Sequence, residues 1–249
     1  MLYLLIFGFL VLFLLSLWFW YNPESLITPI NFLYYTDSCP RTNFYSDSER
    51  DTIFPTGKEL ELIWSDIKHE GYHLYHSLNN KDLNYLNNYN IDLGEENKQH
   101  WTTIPLRLFG RDSPSYMDKC PKLSSILKAH PEIISCLFSI MKPGKIIKPH
   151  VGPYDGLIRY QLALDIPQPN NDEECYLHVG GEKYYWTEGR GVLFDEGNTH
   201  GAVNTTTKHR MVLLIDLERP YNFSPYRLLN KIVIYFMGLL PSTKQATLT

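Results

Sequence analysis

Along LIRYQLALD, residues 157–165, polar and apolar positions alternate. Ile158, Tyr160, Leu162 and Leu164 fall on one face of a strand, and Arg159, Gln161, Ala163 and Asp165 fall on the other. CYLHVGGEKYYW reads as a hairpin, with Gly180-Gly181 supplying the positive φ angles of a tight turn. GVLF at 191–194 and RMVLLIDL at 210–217 add two more strands to a region in which the period changes at about residue 138. Upstream the pattern is helical. Leu60, Ile63, Trp64 and Ile67 recur on one helix face behind Thr56-Gly57-Lys58-Glu59, which reads as a capping box. A second helical pattern over 122–137 is interrupted at Pro131, and the Asn-rich run from Asn79 to Asn97 reads as a surface loop. Helices followed by many short strands predict an α+β chain built on a double-stranded β-helix, or jelly roll, with flanking helices.

The two ends carry apolar runs of different kinds. MLYLLIFGFLVLFLLSLWFW has no charge, and at about 1.5 Å per residue it is long enough to cross a hydrocarbon core of about 30 Å. No basic residue precedes it, and bulky Trp18, Phe19, Trp20 and Tyr21 stand where a signal-peptide cleavage site needs small residues. The segment therefore predicts an uncleaved transmembrane helix and a single-pass membrane protein. Its orientation is weakly coded, because the first basic residue after it is Arg41. LLNKIVIYFMGLL at 228–240 is short for a span and is broken by Lys231, so a packing helix is preferred to an interfacial segment. The predicted organisation is an anchor over 1–21, a linker over 22–55, a domain over 56–227 with its β-helix core at about 100–220, and a C-terminal apolar helix and tail over 228–249.

Charge narrows the function classes. With 23 Lys+Arg against 27 Asp+Glu and no dense basic run, the chain has no electrostatic footprint for nucleic acid. Cys39, Cys120, Cys136 and Cys175 are too scattered for a Cys-x-x-Cys site or a disulfide scaffold, although one or two disulfides would suit a lumenal domain. His150 and His200 stand out because each is followed by a mid-strand arginine, Arg159 and Arg210. Such arginines are costly to bury alone. They serve either structural ion pairs, with Asp165 or Asp216 as partners, or a ligand that brings its own carboxylates. His69, His73 and His76 share a helix face but lack the Glu of His-Glu-x-x-His, so a polar face is the better reading than zinc. The sequon at Asn204 lies too close to His200 to suit a glycan.

FSIMKPGKIIKPHVGP (138–153), LIRYQLALDIP (157–167), YYWTEGRGVLFDEGNTH (184–200) and HRMVLLIDLERP (209–220), with HWTTIPL (100–106) and CPKLSSIL (120–127), together resemble the aspartyl/asparaginyl β-hydroxylase family of Fe(II)- and 2-oxoglutarate-dependent dioxygenases. The resemblance implies Fe(II) as metal, with 2-oxoglutarate and O2 as cosubstrates. It implies His150 and His200 as the two protein ligands, with Gly152 leaving open a position that related oxygenases fill with a carboxylate. It further implies that Arg210 and Ser139 bind the distal carboxylate of 2-oxoglutarate, and that Arg159 helps hold the chelating end. Gln161 stands where the family commonly has a histidine, and it retains a donor for a carboxylate. Gly201 and Val203 replace a commonly found Glu and Trp. Asp195 and Glu196 serve either the metal's surroundings or a turn. The substrates implied are Asp or Asn side chains of proteins or peptides, or a lipid acyl chain at the membrane; a catalytically silent ligand-binding module is the third alternative.

Overall fold

The computed structural model describes residues 30–79 and 100–247, apart from 35, 38, 40 and 153. The expected span at 1–21 and nearly all of the Asn-rich run lie outside those residues. Among the described residues, no helix is long and apolar enough to cross a membrane.

The helices are α1 (Asp47–Ile53), α2 (Thr56–Leu62), α3 (Trp64–Ser77), α4 (Pro114–Met117), α5 (Pro121–Ala129), α6 (Ser224–Leu239) and α7 (Pro241–Thr247). The strands are β1 (Trp101–Leu108), β2 (Arg111–Asp112), β3 (Ile133–Met141), β4 (Lys145–His150), β5 (Leu157–Asp165), β6 (Cys175–Val179), β7 (Glu182–Tyr184), β8 (Gly191–Phe194), β9 (His200–Asn204) and β10 (Arg210–Glu218). One sheet has the order β2-β1-β3-β10-β5-β8 and the other β4-β9-β6-β7. From β3 to β10 the chain crosses repeatedly between the two sheets, which makes a double-stranded β-helix flanked by helices.

The alternation in β5 sets the layers. Ile158, Tyr160, Leu162 and Leu164 join Leu60, Ile67 and Leu74 of the helices in one core. On its other face, Ala163 joins Val212, Met141, Ile147, Leu177 and Phe194 between the sheets. Helix α3 lies close against this larger sheet at Gly71, where a Cβ would come within 2.6 Å of the Phe138 ring. The hairpin forms as expected at Gly180 and Gly181, with φ of 56° and 89°.

Several expectations change. Residues 30–55 are not simply a linker: Phe44 bridges to Phe194, and the buried Arg50 donates to the Gly191 carbonyl. The capping box is Ser46 with Glu49, at the start of α1. Thr56 does begin α2, but its side chain is drawn to His130 and Glu132, each 3.0 Å away. The helical pattern expected through 137 ends at Ala129, because Ile133–Met141 is buried on both faces and forms β3. Asp165 does not join Arg159; past a bulge opposite Met211 it contacts Lys68 and Tyr72 of α3. Among the described residues no disulfide joins the four cysteines, all of which are buried.

Candidate active site

His150 ends β4 and His200 opens β9, and the two are register partners in the smaller sheet. Their ring centroids lie 4.3 Å apart at an interplanar angle of 52°. The local chain orients each ring in the same way: Nδ1 of His150 is 2.9 Å from the Lys148 carbonyl, and Nδ1 of His200 is 2.9 Å from the Asn198 carbonyl. A carbonyl oxygen only accepts, so in both neutral rings Nδ1 carries the hydrogen and Nε2 keeps its lone pair. Burial, then the charge on Arg159 and the neighbouring His150, pulls the His200 pKa down to about 3. Burial lowers that of His150 as well. Both rings are thus neutral near neutral pH, the form and tautomer that a metal ligand requires. Among the described residues no group of three His, Cys, Asp or Glu converges to hold a metal.

Arg210, at the start of β10, is 1% exposed. Its guanidinium stacks 4.5 Å over the Trp186 ring, and Nη2 lies 2.9 Å from the Met141 sulfur. Among the described residues its Nε and Nη1 have no hydrogen-bond acceptor. Burial pulls its pKa down to about 10. Buried donors of this kind are normally satisfied, and a buried cation without a counter-charge is destabilising. The arrangement therefore suits an anion arriving from outside the chain.

The side chains around it are set to receive one. Trp101 donates its indole N–H to the Ser139 hydroxyl oxygen at 3.0 Å. Trp186 donates to Oε1 of Gln161 at 3.2 Å, which leaves the Gln161 amide N–H groups as donors. His150, His200, Arg159, Gln161, Ser139 and Arg210 all line one cleft, so the fold brings together the six residues expected to hold the metal and the cosubstrate. Trp101, Ile147, Leu177 and Leu214 supply much of its apolar wall.

Arg159 differs from Arg210. Its Nε is 2.8 Å from Asp216 and its Nη2 is 2.7 Å from Glu196. The structural ion pair anticipated with Asp216 is therefore present, while the guanidinium still borders the cleft. Asp195 is equally committed, gripping the buried Arg219 with both carboxylate oxygens. Arg219 also donates to the Asp155 carbonyl, and Asp155 pairs with Arg41 at 2.6 Å. Asp195 and Glu196 thus brace the loop before His200 through arginines.

Gly152 has a packing reason of its own. Its N–H donates to the Glu196 carbonyl at 2.9 Å, and an added Cβ would stand 2.9 Å from that same oxygen. At Gly201, a Cβ would fall 2.5 Å from Nε2 of His178 and from the Ile147 carbonyl, so this ring occupies the room for a larger residue. His69, His73 and His76 are exposed along α3, as a polar face. Asn204 is fully buried and donates to the carbonyls of Met141, Lys142 and Lys208, which explains the residue without a glycan. Sequence reading assigned no role to Trp186 or Trp101, although both lie within the motifs it singled out; their contacts with Gln161, Arg210 and Ser139 exist only once segments distant in the sequence come together.

The family model described as Aspartyl/Asparaginyl beta-hydroxylase matches residues 61–220. The chain belongs to this family. It is 33% identical over 145 residues to the ornithine lipid ester-linked acyl 2-hydroxylase of Rhizobium tropici, covering 58% of this chain and 50% of that protein. It is 28% identical over 168 residues to the aspartyl/asparaginyl beta-hydroxylase of Homo sapiens, covering 66% of this chain and 21% of that one. The match to human aspartate beta-hydroxylase domain-containing protein 2 is 33% over 129 residues, 48% of this chain and 34% of that. The matches thus span half or less of each of these relatives. Among solved structures, a 2OG-Fe(II) oxygenase family oxidoreductase from Burkholderia pseudomallei aligns over 57% of this chain and 80% of its own, at 14% identity and a TM-score of 0.39. That likeness is too loose to carry an argument.

Proposed function

We propose that this chain is an Fe(II)- and 2-oxoglutarate-dependent hydroxylase acting on Asp or Asn side chains of proteins or peptides. The observation that carries the reading is the pairing, in one cleft, of two neutral histidines with Nε2 lone pairs and a buried arginine with two unmet donors. His150 and His200 would hold the metal. When bound, iron with 2-oxoglutarate and O2 supplies the oxidising chemistry, which inserts oxygen into a substrate C–H bond as 2-oxoglutarate becomes succinate and CO2. Arg210 takes the distal carboxylate as a charge-assisted pair, and the Ser139 hydroxyl donates a further hydrogen bond. Gln161 and Arg159 orient the end of the cosubstrate nearer the histidines. The apolar wall formed by Trp101, Ile147, Leu177 and Leu214 excludes water and strengthens these polar contacts.

Hydroxylation of a lipid acyl chain is the second reading. It is supported by the uncharged run at 1–21, which we read as a single-pass anchor, and by Val151, 55% exposed next to His150. The relatives' names include both substrate classes. Aerobic incubation of the full chain with Fe(II), 2-oxoglutarate and either acidic peptides or lipids, followed by mass spectrometry, separates the readings. A gain of one oxygen on a peptide with matching succinate supports the first, and a gain on an acyl chain supports the second. His200→Ala should abolish both signals, and succinate release unchanged in that variant would refute the site.

A further inference from the structure

Helix α6 has two faces of different fate. Asn230, Ile234 and Gly238, one turn apart, are its buried face. Asn230 donates to the Gly156 carbonyl and accepts from Tyr154, and Ile234 packs among Tyr34, Tyr154 and Tyr221. Gly238 approaches Phe109 so closely that a Cβ would stand 2.6 Å from its carbonyl oxygen. Packing thus holds α6 to the domain, as sequence favoured. The outer face is a stripe of large apolar side chains at helical spacing: Leu228, Ile232, Tyr235, Phe236 and Leu239, with Tyr235 65% exposed and Leu228 62%. A contiguous exposed stripe of this size marks an interaction surface.

Two independent features specify what it meets. The helix contains no Asp or Glu, while Arg227 and Lys231 are exposed along it, which complements a negatively charged surface. The route of the chain points the same way. The uncharged run at 1–21 leads into residues 30–34, a helical turn with Phe32 74% exposed. That turn is fastened to the start of α6: the Tyr34 ring lies 5.6 Å from that of Tyr226, and Thr36 shares a 2.6 Å hydrogen bond with the Tyr226 hydroxyl. The chain that follows the hydrophobic run is therefore fastened, at Tyr34 and Thr36, beside the start of α6.

We infer that α6 is a membrane-docking helix, whose outer face lies in the headgroup and upper acyl region of an anionic bilayer. Tyr235 and Phe236 suit that interface, and Arg227 and Lys231 meet lipid phosphates. Because Asn230 is bonded to Tyr154 and Gly156, the docked helix would also hold the loop that follows Gly152 beside the bilayer. The inference is independent of the hydroxylase reading, whose failure would leave the following test unchanged.

The test is spin-label accessibility on the full chain reconstituted in phosphatidylcholine–phosphatidylglycerol vesicles. Single cysteines replace Ile232, Tyr235 and Leu239, with Lys58→Cys as a water-facing reference; all these sites are exposed, and the native cysteines are buried. At the three α6 positions, collisions with oxygen should exceed those with a water-soluble nickel complex, and the ratio should stand severalfold above that at position 58. A ratio equal to that at position 58 would show that the stripe faces water and overturn the inference. Shielding from both reagents would also overturn it: with dipolar broadening between labels the occupant is a second copy, and without broadening it is another part of the same chain.

Discussion

Arg159 and Arg210 occupy equivalent-looking positions in sequence, yet the protein surrounds them differently. Arg159 and Arg219 are met by Asp216, Glu196, Asp195 and Asp155, and the loops carrying Gly152 and Glu196 are tied together by this network. In the same cleft as Arg159, Arg210, as deeply buried as Arg219, has an aromatic face, a sulfur and two donors that no acceptor among the described residues meets. The first arrangement holds a structure together. The second suits an acceptor that comes with a ligand, as proposed above. A buried cation is thus not itself a sign of function; what distinguishes a receptor is a counter-charge that the chain does not supply.

The sharpest way to break this comparison is to remove each cation in the ligand-free protein. Arg219→Met strands Asp195 in the interior and should cost about 3–5 kcal/mol of stability. Arg210→Met removes an uncompensated charge, so it should change stability by no more than about 1 kcal/mol, the order of the lost contact with Trp186. Urea unfolding measures both, and equal losses would mean that Arg210 has a partner within the chain.

The comparison sharpens in pH. His200 has cationic Arg159 and the His150 imidazole nearby, and burial is the main cause of its folded pKa of about 3, against 6.5 as the ordinary value. Its neutral form is favoured on folding, so its contribution to stability is full above about pH 6.5 and is lost progressively as pH falls toward about 3. Metal-free protein should show this decline, and His200→Asn should flatten it; an unchanged slope would remove the buried-neutral assignment.

A smaller effect tests the bracing side. Gly152→Ala places a methyl group against the Glu196 carbonyl and should cost about 1–3 kcal/mol, with thermal unfolding as the readout. Gly152→Asp should be at least as costly, because its side chain starts toward Glu196 as well. A neutral Gly152→Ala would return the glycine to a role defined by coordination alone.

How much of this was legible in the sequence follows from what each signal depends on. The faces of β5 were readable because a half-polar strand alternates with period two, and the β6–β7 turn because two glycines announce positive φ. Strand β3 was hidden because it is buried on both faces and has no period to read. Strand β4 was obscured because Lys145 points inward while Ile146 is exposed, inverting the usual pattern at its start. His150, His200, Arg159 and Arg210 stood out from their sequence context, while Ser139 and Gln161 were singled out only through the resemblance to the family. Which arginine had a partner was not readable, because Asp216, Glu196 and Asp195 are assigned to their cations by the meeting of β5, β10 and the loop before β9. The role of Trp186 was hidden for the same reason.

The central claim is tested most directly by calorimetric titration of 2-oxoglutarate into the wild-type chain and Arg210→Met, without O2 and with Mn(II) standing in for iron. The wild type should bind, and Arg210→Met should bind more weakly by about 2–5 kcal/mol with its Mn(II) affinity intact. Equal affinity of the two proteins for 2-oxoglutarate would contradict the account.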